Sequence, residues 1–221
     1  AEVPGTSDSY APSITSDGRY IVFESDASNL VAPDTNSGRD VYVRDRTAGT
    51  TIRASLADND TQPAGQSFTG GITSDGNSVV FASTAKMTPA DTNNSVDVYV
   101  RTLSTGKTRL VSTVSGGSQA AGDSDSPRIA ENGGTIAFLS SSTTILAGAN
   151  GARQLYVARG SIERASVSTA GVISGADVAN PSVDDDGQVV TFDSKAANLV
   201  AGDTGQRDVF FRRRYDIGRS A

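Results

Sequence analysis

The sequence predicts an all-β propeller built from four four-stranded blades of roughly 55 residues each. Three observations carry this: the chain repeats, each repeat reads as short strands joined by tight turns, and no segment has the apolar spacing or caps of a helix. The turn glycines Gly18, Gly76, Gly133 and Gly187 lie 58, 57 and 54 residues apart, and Phe23, Phe81, Phe138 and Phe192 keep the same intervals. The repeats predict blades over 9–56, 66–113, 123–168 and 177–221 of one domain, 1–221.

The strands follow in order within each unit. A first strand ends at Ile14, Ile72, Ile129 or Val183 and runs into an Asp-Gly or Asn-Gly pair, the tight-hairpin chemistry that accepts positive φ. A second strand alternates, with Ile21/Phe23, Val79/Phe81, Ile136/Phe138 and Val190/Phe192 on one face. The third strand is apolar without alternation: Val41-Tyr42-Val43, Val98-Tyr99-Val100, Leu155-Tyr156-Val157 and Val209-Phe210-Phe211. Apolar residues on both faces require a sheet covered on both sides. A fourth, more polar strand closes each unit at the outside: TTIRAS, TRLVS, IERAS and DIGRS. Sheets stacked between neighbours describe blades rather than a two-sheet sandwich. The blades close as a four-bladed ring or form part of a larger one, and an unclosed set would leave ends that favour oligomerisation.

Composition narrows the chemistry. The 221 residues contain no Cys, His or Trp, which removes disulfides, thiol nucleophiles, His-dependent triads and Cys/His zinc sites. Carboxylates, hydroxyls, Tyr, three Lys and sixteen Arg remain. A net charge of -6 opposes general nucleic-acid binding, which needs clustered positive charge. No apolar run is long enough to cross a membrane as a helix. The polar start at Ala1 reads as a mature product after signal removal or as a piece of something longer. Abundant Arg, Ser, Thr and Gly beside scarce Lys points to export.

The succession P-S-I-x-x-D-G-x-x-I-x-F, N-L-V-x-x-D-T-N, D-V-Y-V-R-D and an Arg-x-Ser strand resembles the TolB-type, WD40-like propeller repeat of exported bacterial proteins. The first unit matches best. The third departs most, with Asn132-Gly133 at the turn and AGANGARQLYV in place of an Asp-rich loop. The resemblance implies a non-catalytic binding platform that is periplasmic, cell-surface or secreted. Its partner would be another protein or a second copy.

Four features are candidates for chemistry. The loop before the third strand carries Asp34, Asn36 and Asp40 in unit one, Asp91, Asn93 and Asp97 in unit two, and Asp203 and Asp208 in unit four. Oxygen ligands at alternate positions followed by a later carboxylate suit Ca²⁺, the one cofactor the sequence suggests. The competing reading is local turn capping by the same side chains. The Asp-Gly turns and the run Asp184-Asp185-Asp186 read as structural hairpins. The column Ser13, Gly71, Arg128, Ser182 places one arginine by the channel, as a plug, as a partner of Asp125 or as an anion ligand. The run Arg212-Arg213-Arg214, matched by Arg44 and Arg101, reads as a solvated edge or as a docking patch for an acidic partner. A rival class, a carbohydrate-recognition or glycosidase domain, would need two carboxylates converging in a deep pocket. No non-repeating cluster marks one, so the expected function is non-enzymatic protein interaction or structural assembly, alone or within a larger extracellular complex or filament.

Overall fold

The computed structural model describes residues 4–213. Blade one holds β1 (Ser9–Ile14), β2 (Tyr20–Ser25), β3 (Asp40–Asp45) and β4 (Thr50–Arg53). Blade two holds β5 (Ser67–Ile72), β6 (Ser78–Ser83), β7 (Asp97–Thr102) and β8 (Lys107–Leu110). Blade three holds β9 (Ser124–Ile129), β10 (Ile136–Ser140), β11 (Gln154–Arg159) and β12 (Ser161–Arg164), and blade four holds β13 (Val178–Val183), β14 (Val189–Ser194) and β15 (Asp208–Arg213). Each strand pairs antiparallel with its neighbour in sequence, so every sheet is a meander. The expected DIGRS strand and Arg214 lie outside the described residues.

The Asp-Gly turns are structural, as their residue types require. Asp17 Oδ1 accepts the Thr15 hydroxyl at 2.6 Å and the Arg19 amide at 2.9 Å, and Asp75 repeats both bonds with Thr73 and Asn77 at 2.6 and 2.9 Å. These bonds, the threonine hydroxyl foremost, hold both carboxyls below the usual range. In blade four the Asp186 carboxylate accepts the Gln188 amide, again closing the turn locally.

Each blade carries a stacked ring pair between its second and third strands: Phe23–Tyr42, Phe81–Tyr99, Phe138–Tyr156 and Phe192–Phe210, with centroids 5.7, 5.8, 5.8 and 5.5 Å apart. In blades two to four these rings face the preceding blade. One core joins Val22, Val41, Val43 and Ala54 of blade one to Ile72, Val79, Phe81 and Tyr99 of blade two. The next joins Val80, Val98, Val100 and Val111 to Ile136, Phe138, Ile145 and Tyr156, and the last joins Leu139, Leu155 and Val157 to Val178, Val190 and Phe192. This explains the unbroken apolar third strand: its tyrosine looks back and its two flanking aliphatics look forward.

The strands β1, β5, β9 and β13 contact one another in succession and form the inner edge. Each has a break in register, and Ala11, Ser126 and Asn180 adopt positive φ there, each ahead of a proline. Blade two has Gly70 instead of that proline. A Cβ at Gly70 would lie 2.4 Å from the Pro127 carbonyl, so the close approach of two inner strands requires glycine.

Contacts run from blade one to two, two to three and three to four, and none of comparable extent joins blade four to blade one among the described residues. The end faces are accordingly bare. Val209 and Phe211 are 80% and 74% exposed, whereas the matching Val41, Val43, Leu155 and Val157 are buried. Every residue of β1 is exposed, and Ile14 is 56% exposed where Ile72 is 7%. Of the two expected closures, the described residues form an open four-bladed arc rather than a shut ring.

Turn glycines differ in what surrounds them. Gly76 (φ +72) would push a Cβ to 2.3 Å from the Tyr20 ring of blade one, whereas Gly49 (φ +68) has nothing within 4 Å. Gly49→Ala should therefore cost only the backbone strain, about 1 kcal/mol, and Gly76→Ala measurably more, on the order of 2–4 kcal/mol. Urea denaturation of the two variants checks this, and equal losses would show that the turn does not press on its neighbour.

Candidate functional site

The end of the arc that carries the β2–β3 type loops and the inter-blade linkers holds most of the polar chemistry. In blade one the Asp-rich loop closes around a glutamine from the next linker. Gln62 Nε2 donates to Asp40 Oδ2 at 2.6 Å, Asn36 Oδ1 at 2.9 Å and Asp34 Oδ1 at 3.1 Å. Its carbonyl oxygen accepts the Thr35 amide and hydroxyl at 2.8 and 2.9 Å, which fixes the amide orientation. The Arg53 guanidinium sits 3.0 Å from Asp40 and 3.9 Å from Asp34 and donates to the Pro33 and Val31 carbonyls. A buried carboxylate pair is thus matched by one cation.

Blade two keeps the loop and loses the cation, because Leu110 occupies the position of Arg53. Gln119 Nε2 donates at 2.7 Å to both Asp91 Oδ1 and Asp97 Oδ2, while its oxygen accepts the Thr92 and Asn93 amides. The Tyr99 hydroxyl donates to Asp91 at 2.5 Å and the Ser112 hydroxyl to Asp97 at 2.6 Å. Both carboxylates are buried, Asp97 completely, and burial pushes the Asp97 carboxyl up to about 6. The Tyr99 hydroxyl is raised as well, by burial and then by the carboxylate it serves.

Blade three replaces the whole device with neutral groups. Gln154 stands where Asp40 and Asp97 do, accepts the Ser166 hydroxyl at 2.6 Å, and donates to the Ser174 carbonyl and to Asn150. Ile173 then takes the place of the linker glutamine. In blade four Asp203 accepts the Gly205 amide at 2.7 Å, and Asp208 is exposed at the start of β15. Among the described residues no three acidic side chains converge in a set that could hold a metal ion. A Ca²⁺ ion at the loops of blades one and two would have to displace glutamine N–H groups whose orientation the loop amides fix.

Nearer the inner edge lies a set of ion pairs that sequence reasoning missed. Arg39, Arg153 and Arg207 each stand just before a third strand, a position that is Val96 in blade two. Arg39 makes a two-pronged pair with Asp26 at 2.9 and 3.0 Å, and its guanidinium lies 4.1 Å from the Tyr10 ring centroid. Arg153 binds Asp125 on β9 and the Ser126 hydroxyl, and Arg207 binds Asp193 on β14, which also accepts from Asn180. Glu24, beside Arg39, is raised by burial, and its Oε2 has no hydrogen-bond partner. Asp125 therefore pairs with Arg153 and not with Arg128, whose hydrogen bond goes to the Pro127 carbonyl. The signal was present in the motifs GRDVYV, ARQLYV and QRDVFF, where the arginine precedes the apolar run.

Of the strand arginines, Arg213 is exposed as a solvated edge predicts, whereas Arg101 and Arg212 turn inward. Arg101 is 4% exposed and donates to the Ala57 and Gly106 carbonyls and to Thr108, while pairing with Asp60 of the linker. Arg212 reaches the Ser168 carbonyl of the linker before it at 3.2 Å. These side chains tie one blade to the connection that precedes it.

Fold and site together define a β-propeller with a charged, carboxylate- and arginine-lined mouth. Solved structures share this fold. A structure assigned as TolB from Agrobacterium tumefaciens superposes with a TM-score of 0.56 at 19% identity, covering 90% of this chain and 63% of that one. Two prolyl endopeptidases, represented by one structure, give 0.53 at 13% identity over 94% of this chain and 28% of theirs, and the tricorn protease gives 0.51 at 8% over 84% and 19%. The likeness establishes the TolB-like propeller fold, and the chain spans less than two thirds of the length of each of these proteins. No family model and no curated protein sequence matches the chain.

The unpaired carboxylates of blade two have a measurable signature. Asp97 favours its protonated form in the fold, so its contribution is present below pH 4 and is lost as pH rises through about 6. Asp97→Asn, which cannot ionise, should gain on the wild type by about 2 kcal/mol in urea stability between pH 4 and pH 7.5. A constant difference across that range would show that Asp97 titrates normally. Chelation by EDTA should leave the melting midpoint of the wild type unmoved, and a drop of several degrees would show that the loops hold a cation.

Proposed function

We propose that the chain is an exported, non-enzymatic interaction module that binds a protein segment at the mouth of the arc. The observation that carries this reading is the set of pairs Arg39–Asp26, Arg153–Asp125 and Arg207–Asp193 along the inner edge, each partly open to solvent. Partly exposed pairs contribute little to stability, and they present both signs of charge in fixed positions for a partner to exchange with. Tyr10, 39% exposed over the Arg39 guanidinium, adds an amphipathic contact of the type enriched at interfaces. The TolB-like fold supports a binding role, and the same likeness is the support for export. A glycosidase reading finds no equivalent support, because Asp26, Asp125 and Asp193 are each engaged by an arginine.

Selection of displayed random peptides on the immobilised protein tests the proposal. The wild type should enrich peptides that carry charged residues, with binding that weakens as salt rises. The triple variant Arg39→Ala, Arg153→Ala, Arg207→Ala should lose that enrichment while its melting midpoint stays within a few degrees. Recovery of the same peptides by the folded triple variant would place the binding surface elsewhere.

A further inference from the structure

The three joints between blades are not filled alike. At the joint of blades one and two, the Arg101 side chain lies buried against the linker and bonds its carbonyls. At the joint of blades three and four, Arg212 makes the corresponding reach to Ser168. The strand registers give the equivalent residue in blade three as Ala158: Arg101 opposes Val79, Arg212 opposes Val190, and Ala158 opposes Ile136. Where the arginine is missing there is a cavity of about 450 Å³ between blades two and three. That size falls within the range of small-molecule sites.

The lining is specific in character. Leu110, Val111, Val114, Ile136, Leu146 and Ile162 supply apolar walls. Its charged members are Arg109 and Arg159, and no carboxylate lines it. Arg109 projects from β8, opposite Val100 in register, and has neither a carboxylate partner nor a hydrogen bond among the described residues. The Arg109 side chain is solvent-exposed where it lines the cavity, so its guanidinium is open to a ligand. None of the lining residues belongs to the mouth.

We infer that this cavity is a binding site for a small organic anion with an apolar body, of the class of a medium-chain monocarboxylate, its charge on Arg109 and its chain against the aliphatic walls. The inference is independent of the peptide-binding role of the mouth. Octanoate is the probe, titrated into the ¹⁵N-labelled protein and followed by amide shifts. A ligand of this size should saturate with a Kd of about 1 mM, moving Gly133, Ala158 and Ile162 and sparing the mouth. Ala158→Arg restores the repeat arginine into the space and should weaken binding at least about tenfold, with an unchanged circular dichroism spectrum. Arg109→Leu keeps the cavity and removes the charge, and should weaken octanoate about tenfold while leaving octanol unaffected. The proposal is overturned if octanoate gives no saturable shifts at about 20 mM, if octylammonium binds as well, or if folded Ala158→Arg binds undiminished.

Discussion

The structure depends on one constraint: at each of the three joints the aliphatic face of one blade has to be buried against the ring-bearing face of the next. The stacked pair Phe81–Tyr99 meets Val22, Val41 and Val43, and Phe138–Tyr156 meets Val80, Val98 and Val100. Burying such side chains is worth about 1.5–3 kcal/mol each, so no blade is stable alone and the array holds through its joints. The turn glycines follow from the same constraint, because the hairpin tip of one blade sits on its neighbour, as Gly76 sits on Tyr20. So do the linker-gripping arginines, which convert a flexible connection into part of the joint.

Polar groups are then fitted around that apolar frame, and their variation shows the physics at work. A buried aspartate before the third strand needs donors. Blade one supplies a glutamine and an arginine; blade two supplies the glutamine, a tyrosine and a serine but no cation. Blade three removes the charge, and the glutamine gives way to isoleucine in the same step. The glutamine accompanies the aspartate because a buried carboxylate without a donor is costly, and a buried amide without an acceptor is scarcely less so. These loops order the blade rims and leave the accessible charges to the mouth.

The open arc changes how the ends are read. Val209 and Phe211 carry the residue types of a joint and lie in solvent, while β1 is exposed along its length although the Tyr42 ring of the same blade is fully buried. The aliphatic half of the interface stands at one end and the receiving half at the other.

Much of the fold was legible in the residues: a fixed interval between Asp-Gly turns, the Ile-x-Phe alternation and the unbroken Val-Tyr-Val strand leave few architectures, because strand period and turn chemistry are local properties. The roles of Arg39, Arg53, Arg101 and Arg153 were not legible. An arginine at or near the end of a strand reads as solvent-facing by composition, and only packing decides whether its long side chain snorkels outward, grips a linker carbonyl or meets a carboxylate two strands away. Closure was equally beyond the residues, since it depends on how small rotations between sheets accumulate. The cavity beside Ala158 belongs to the same class: an alanine in a strand signals nothing until the blade beside it shows what that position was built to fill. Local chemistry determined the blade; contacts distant in sequence decided the joints, the mouth and the ends.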